Sequence, residues 1–437
     1  MSVRRRTYSL RNIDASCLFR RPPAPEKEAT TGGCRPGHHQ SMEEMESSPL
    51  PDPAMSFCPP RHSLHGGDGT MEFMLLGGKH NKVVATDQTG RAVLYDPDRH
   101  AVYTLRGFAK PKTSAVVALT ATGAGGDDDL YVLNALPSLD ACFECLERGR
   151  RDEDWYPRLL PPPPPPFRCC GDDGEEEEAD GTWWSTGGPC IISSAVSGDG
   201  AHIWVTDQCS GTYAFDTAME RWSKAGDWAL PFAGAAAFVP EHGLWFGLRD
   251  DDDGRCTLCA VEGLARSSPP AVRHVWEDLA PPDDWPAPPA SRLVYLGAAK
   301  FCVARFFSDN PSTCRHYPVT RAVFTGVEVE RCADADGGGL RMVKHRSKLY
   351  TLLHDMSFWK TMLLMQYRKD PSTIGNDLKD GVRSREGPNV SDADLWNHNA
   401  VVPSTLNNVV VHQSFLELRS TESCWTDGCA WGISFQI

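Results

Sequence analysis

The residues of this chain whose types could do chemistry begin with two Cys-x-x-Cys pairs, Cys142/Cys145 and Cys256/Cys259. A structural zinc site needs four thiolate or imidazole ligands that converge, usually as two close pairs on turns. These pairs are far apart in the sequence, and each lies inside an apolar run, 141–146 and 256–261. Such runs read as strands, and on a strand positions i and i+3 face opposite sides. The expectation is buried free thiols and no metal. The run Asp250, Asp251, Asp252, Asp253, Gly254 resembles part of a calcium loop. Aligned on its glycine, however, position 1 is Arg249 and position 12 is Ala260, so the ligand set fails. A charged hairpin tip is expected there, and another at Asp127, Asp128 and Asp129. His62 and His65 have metal-binding spacing but neither a helix nor a carboxylate partner to complete a site. There is no nucleophile elbow, phosphate loop or H-E-x-x-H helix. No catalytic, cofactor-binding or metal residue is therefore assigned; a Ser/His/Asp triad could arise only through folding.

Thirteen tryptophans remain to be placed. Trp204, Trp222, Trp228, Trp245 and Trp276 fall in or beside apolar runs and read as core filling. Trp155, Trp183, Trp184 and Trp285 sit in polar or proline-rich stretches, where exposed aromatics serve as anchors for protein partners. These four are the candidate partner-binding residues.

The elements that must position these residues follow from a repeat. Thr86-Asp87-Gln88 with Tyr95-Asp96 matches Thr206-Asp207-Gln208 with Phe215-Asp216 at identical offsets. The reading is two strands around a polar turn, with an aspartate starting the next turn. A looser unit recurs: a short apolar strand, a small polar turn and a second apolar strand. Its copies are 71–76 with 82–86, 115–120 with 130–134, 191–196 with 202–206, 234–239 with 244–248, 293–296 with 301–307, and 340–343 with 348–353. A third strand follows most copies. Sheets that are apolar on both faces cannot stand alone, and four-stranded units repeating every 40–50 residues or so are the signature of a β-propeller. The expected fold is all-β, a propeller of four-stranded blades over 71–355, six blades favoured and five the alternative.

Several segments lie outside that repeat. Residues 20–70 read as a disordered linker. Residues 148–188 read as a surface insertion, with six prolines at 161–166 and an acidic run at 171–180. The proline run suits a spacer, or a ligand for modules that read polyproline. Residues 356–437 show no further copy and read as a poorly ordered tail. A ring must close, and Thr7 to Ile13, in the segment 1–19, is the expected missing strand of the last copy, 340–353.

Gly77-Gly78 followed by Leu94-Tyr95-Asp96 and a later aromatic resembles a kelch repeat. More specifically, the chain resembles a plant family, expanded in grasses, known as domain of unknown function 1668. The segments that carry the likeness include 8–14, 83–87, Trp222 with 226–232, 244–247 and 340–348. The resemblance implies a propeller-like fold and transfers no activity.

Charge and hydropathy bound the function. Lys+Arg number 44 and Asp+Glu 58, a net charge of −14, which opposes coating nucleic acid through bulk charge. No apolar run approaches the roughly 20 residues of a membrane-crossing helix. Arg4 to Arg6 are followed by no apolar stretch, so no export signal is expected and a cytoplasmic or nuclear location follows. Two functions are compatible: a non-catalytic intracellular scaffold for other proteins, or an enzyme or small-molecule binder at the mouth of the central channel. The second would draw on Asp87, Asp207, Arg249 and His345, and it requires those side chains to converge.

Overall fold

The computed structural model describes residues 5–19, 42, 45–60, 70–112, 116–135, 141–149, 154–164, 191–207, 210–250, 256–264, 269–279, 281, 285–286, 288, 290–307, 321–332 and 339–352, with further strands at 363–365 and 409–417. Its strands form consecutive four-stranded antiparallel units. Sheet I holds Met71–Leu76, Lys82–Asp87, Ala92–Asp96 and Ala101–Leu105. Sheet II holds Val116–Thr122, Asp128–Asn134, Phe143–Arg148 and Trp155–Leu159. Sheet III holds Ile191–Val196, His202–Asp207, Gly211–Asp216 and Arg221–Gly226; sheet IV holds Gly234–Val239, Leu244–Asp250, Cys256–Glu262 and Ala271–Trp276. Sheet V holds Ala290–Gly297, Lys300–Phe307, Arg321–Arg331 and Leu340–Thr351, with Ser47–Ser48 added at its outer edge. Sheet VI is built from both ends of the chain, in the order Leu363–Met365, Val409–Glu417, Arg5–Ile13, Pro53–Phe57. The first strands of sheets III and IV also pair in parallel, Ser193 against Gly234.

The apolar clusters show how these sheets are stacked. Six clusters are each shared by two neighbours, because every sheet is greasy on both faces. Met74, Val84 and Leu94 of sheet I pack on Leu130, Val132 and Leu146 of sheet II. Tyr131 and Phe143 of sheet II meet Val205 and Phe215 of sheet III. Trp204 and Ala214 meet Trp245 and Cys259 across sheets III and IV; Phe246 and Leu258 meet Phe301 and Val327 across IV and V. Cys302, Phe306 and Phe324 of sheet V then pack on Ile13, Ala15 and Leu18, and Tyr8 and Leu10 of sheet VI pack on Phe73 and Val83 of sheet I. The cycle closes on itself, and the fold is a β-propeller. Edge-to-face rings strengthen the joints; Phe143 and Phe215 lie 4.8 Å apart at 86°, a geometry worth about 0.5–1.5 kcal/mol beyond burial.

The aspartate repeat has a direct physical cause. The Asp87 carboxylate accepts from the N–H of Thr89 and Arg91, at 2.8 and 3.2 Å, and closes the turn between the second and third strands. Asp207 does the same for Ser210 and Gly211. Asp96 and Asp216 cap the following turns, through the N–H groups of Asp98 and Arg99, and of Ala218 and Met219. Gly211 ends its turn at φ +99° against the backbone of Gly226, a conformation and a proximity that suit only glycine.

Five expectations need correction. The segment 340–353 is not a separate two-stranded copy: Leu340–Thr351 is one continuous outer strand of sheet V, with the register shifting opposite Gly326. A Cβ at Gly326 would press on Leu18, so the irregularity makes room for the Ala15–Leu18 turn. Strand Arg5–Ile13 accordingly does not complete that copy; it pairs with Val409–Glu417 on one side and Pro53–Phe57 on the other. The 20–70 linker therefore contributes two strands, and the 356–437 tail contributes two more. Within the insertion expected at 148–188, Trp155–Leu159 is instead the outer strand of sheet II, and the Pro161 carbonyl accepts from Trp222 Nε1 at 2.9 Å. The run 171–180 lies outside the described residues. In the second cysteine pair, Cys256 and Cys259 do face opposite sides, one toward sheet V and one toward sheet III. Burial pushes the Cys259 thiol up to about 12.

Candidate functional site

A cleft of about 760 Å³ opens between the outer parts of sheets I and II. Lys79 and His80 come from the first hairpin of sheet I, Lys82 from its second strand, and Asp96, Asp98 and Arg99 from its last turn. Tyr103 and Arg106 come from its outer strand and exit. Arg148, Asp154, Trp155 and Tyr156 form the opposite wall, on sheet II.

Hydrogen bonds between hairpins fix the floor. Asp127 of sheet II accepts from Lys79 Nζ and His80 Nε2, both at 2.7 Å, and Asp128 accepts from the Lys79 N–H at 3.1 Å. Burial would raise the Asp127 carboxyl, but these bonds outweigh it and hold it at about 2. The aspartates expected to form a loose charged tip are thus an inter-sheet tie. Thr120 adds a second one, its hydroxyl accepting from the Gly77 N–H at 2.8 Å and donating to the Leu75 carbonyl at 3.1 Å. Lys82 is held by Asp96 at 2.5 Å.

Five Lys and Arg against three Asp line the walls, a positive balance in a chain of net −14. Arg106 lies 5.2 Å above the Tyr156 ring, a cation–π pair, and Tyr103 is 44% exposed beside it. The arrangement offers flat aromatic faces and guanidinium donors at one place. That combination suits an extended segment carrying carboxylate and apolar side chains.

A second polar network ties sheet II to sheet III. Arg158 grips Glu220 with both Nη atoms, at 3.0 and 2.6 Å, and Glu147 with Nε at 3.1 Å. Asp129 lies behind it, 5% exposed. Burial, then repulsion from Glu147 and Asp127, raises its carboxyl to about 7 against the pull of Arg158.

The residues singled out from sequence fare unequally. Trp155 lines the cleft but is 8% exposed, its ring edge-on to His80 at 4.8 Å, because sheets I and II close over it. It is a wall of the site and not an exposed anchor. Trp285 packs on Phe307 at 5.6 Å, and Trp183 and Trp184 lie outside the described residues. Asp87 and Asp207 are buried turn caps in sheets I and III. Arg249 is exposed near the end of the second strand of sheet IV. His345 sits on the outer strand of sheet V, bonded to Glu328 Oε2 at 3.0 Å and stacked edgewise on Phe19. These four occupy four different sheets, and none lines the cleft. Among the described residues no group of three or more His, Cys, Asp or Glu could hold a metal ion, and no helix is long and apolar enough to cross a membrane. Sequence reasoning missed Tyr103, Arg106, Arg148 and Tyr156; the only available signal was aromatic and cationic residues interleaved on outer strands.

Comparison with known proteins adds a family. No curated protein matches. A structure of a protein of unknown function from Bacteroides thetaiotaomicron aligns at 10% identity and TM-score 0.35, covering 59% of this chain and 58% of that one. This chain thus spans less than two thirds of that bacterial protein. The β-propeller domain of Myceliophteria thermophila Swd1 aligns at 11% identity and TM-score 0.26, covering 63% and 85%. A fungal alcohol oxidase of the AA5 family, in complex with copper, aligns at 10% identity and TM-score 0.34, covering 69% and 60%. Likenesses this shallow transfer neither activity nor ligand. A family model, by contrast, matches residues 1–350, which include sheets I to V and both N-terminal strands of sheet VI. The chain belongs to the family of proteins of unknown function DUF1668.

Proposed function

We propose that this is a non-catalytic, six-bladed propeller of the kelch-like type, working in the cytoplasm or nucleus of a plant cell as a docking platform for other proteins. The observation that carries the reading is the cleft between sheets I and II, where Tyr103, Tyr156 and Arg106 form an open aromatic and cationic surface. The segment it fits is an extended peptide of a partner, bearing carboxylates and at least one apolar side chain. The catalytic alternative draws on Asp87, Asp207, Arg249 and His345; both aspartates are committed to their own turns, and His345 to Glu328 on an outer strand.

The test is proximity labelling in plant cells with the wild type, the double variant Tyr103→Ala/Arg106→Glu, and a control, Lys224→Glu, on sheet III. A set of proteins labelled by wild type and control but lost from the cleft variant is the expected result, with all three proteins melting alike. Identical sets from all three would overturn the assignment of the cleft.

A further inference from the structure

We propose that the junction of sheets IV and V holds a tetrahedral oxyanion, a phosphate or sulfate group, on Arg305, Ser291 and Trp285. Arg305 lies on the second strand of sheet V and is 3% exposed. Among the described residues no carboxylate pairs with it. One terminal nitrogen, Nη2, donates to the carbonyls of Leu279 and Cys256, at 2.5 and 3.2 Å. Carbonyl dipoles satisfy donors but do not neutralise a buried cation, which is costly to leave uncompensated. Burial holds the guanidinium down at about 10.

The orphan donors next to it point to what is missing. Arg305 Nε has no acceptor, nor has Ser291 Oγ, which faces it across the strand pair. Trp285 Nε1 is also buried without a partner, and its ring lies edge-on to Phe307, two residues along the same face from Arg305. A buried donor without an acceptor is costly, so these three, one of them the cation's own Nε, mark a place built for acceptors. Lys344 adds a second positive charge: burial and then Arg305 lower its amine, against the pull of Asp278.

The donor geometry selects the anion class. A carboxylate is gripped best by both arms of a guanidinium fork, but here Nη2 is already committed to backbone. Donors from three separate side chains instead match an anion with three or more oxygens in different directions. This site lies on different sheets from the cleft between I and II, and it stands or falls independently of the docking reading.

Calorimetric titration of the full chain with inorganic phosphate, sulfate and acetate at matched ionic strength tests it. Phosphate and sulfate should bind the wild type, and acetate should bind much more weakly. Ser291→Ala, which removes one donor with little change in shape, and Trp285→Phe, which removes another while keeping an aromatic ring against Phe307, should each weaken phosphate about tenfold. Absence of phosphate binding to the wild type would overturn the site, as would equal affinity in wild type and both variants. Equal binding of acetate and phosphate would overturn the tetrahedral assignment.

Discussion

Substituting Asp129 by Asn tests whether the joint between sheets II and III stores a titratable strain. Asp129 is nearly fully buried among like charges, and its carboxyl is raised to about 7. In an unfolded chain the same group titrates near 3.9 or so. Between these values the folded state binds the proton and the unfolded state does not, so stability is complete below pH 4 and falls as pH rises through 7. A shift of about three units corresponds to roughly 4 kcal/mol at 1.36 kcal/mol per unit, an upper figure because local relaxation and water reduce it. Asn keeps the shape and removes the ionisation. Urea unfolding of both proteins from pH 4 to 8 should show nearly parallel behaviour at the acid end. Above neutrality Asp129→Asn should become the more stable protein by about 2–4 kcal/mol. A difference between the two proteins that does not change with pH would refute the reasoning, because burial would then not be forcing the proton on.

The link between sheets I and II offers another test: Lys112 and Glu144 form an ion pair at 2.9 Å with essentially no exposure. Lys112→Met, by stranding the carboxylate, should cost about 3–5 kcal/mol in chemical denaturation, whereas Lys112→Met/Glu144→Leu should cost clearly less than that single change; simple additivity would refute it. Deleting residues 1–19 removes the buried Tyr8, Leu10, Ala15 and Leu18 from the joints with sheets I and V, and should lower the melting temperature by several degrees; an unchanged melting curve would refute their role in closing the ring.

What was legible in the sequence was what is local. Thr86-Asp87-Gln88 and Thr206-Asp207-Gln208 could be aligned because a tight turn needs a short carboxylate at one fixed position, and the same turn recurs. Alternating apolar strands around glycine-containing turns revealed the sheets. The segment 340–353 was misread because His345, Arg346 and Ser347 look like a turn; the side chains of a solvent-facing outer strand are equally polar, and only its pairing partner distinguishes the two. Strands 53–57 and 409–417 were missed because their pairing with 5–13 is set by ring closure, which leaves no mark at short range. The cleft was invisible for a similar reason. Its walls come from two sheets, and Trp155 gave no hint that its neighbours would cover it while leaving Tyr103 open.

The mixed origin of sheet VI has a consequence for how the molecule is made. Arg5–Ile13 leaves the ribosome long before its longest partner, Val409–Glu417, because all the strands of sheets I to V lie between them in the chain. Until that partner is made, Arg5–Ile13 keeps one flank unpaired, the edge that Val409–Glu417 later occupies. Such a flank invites pairing with the wrong chain, so production in the cell favours a chaperone that shields it until that strand arrives.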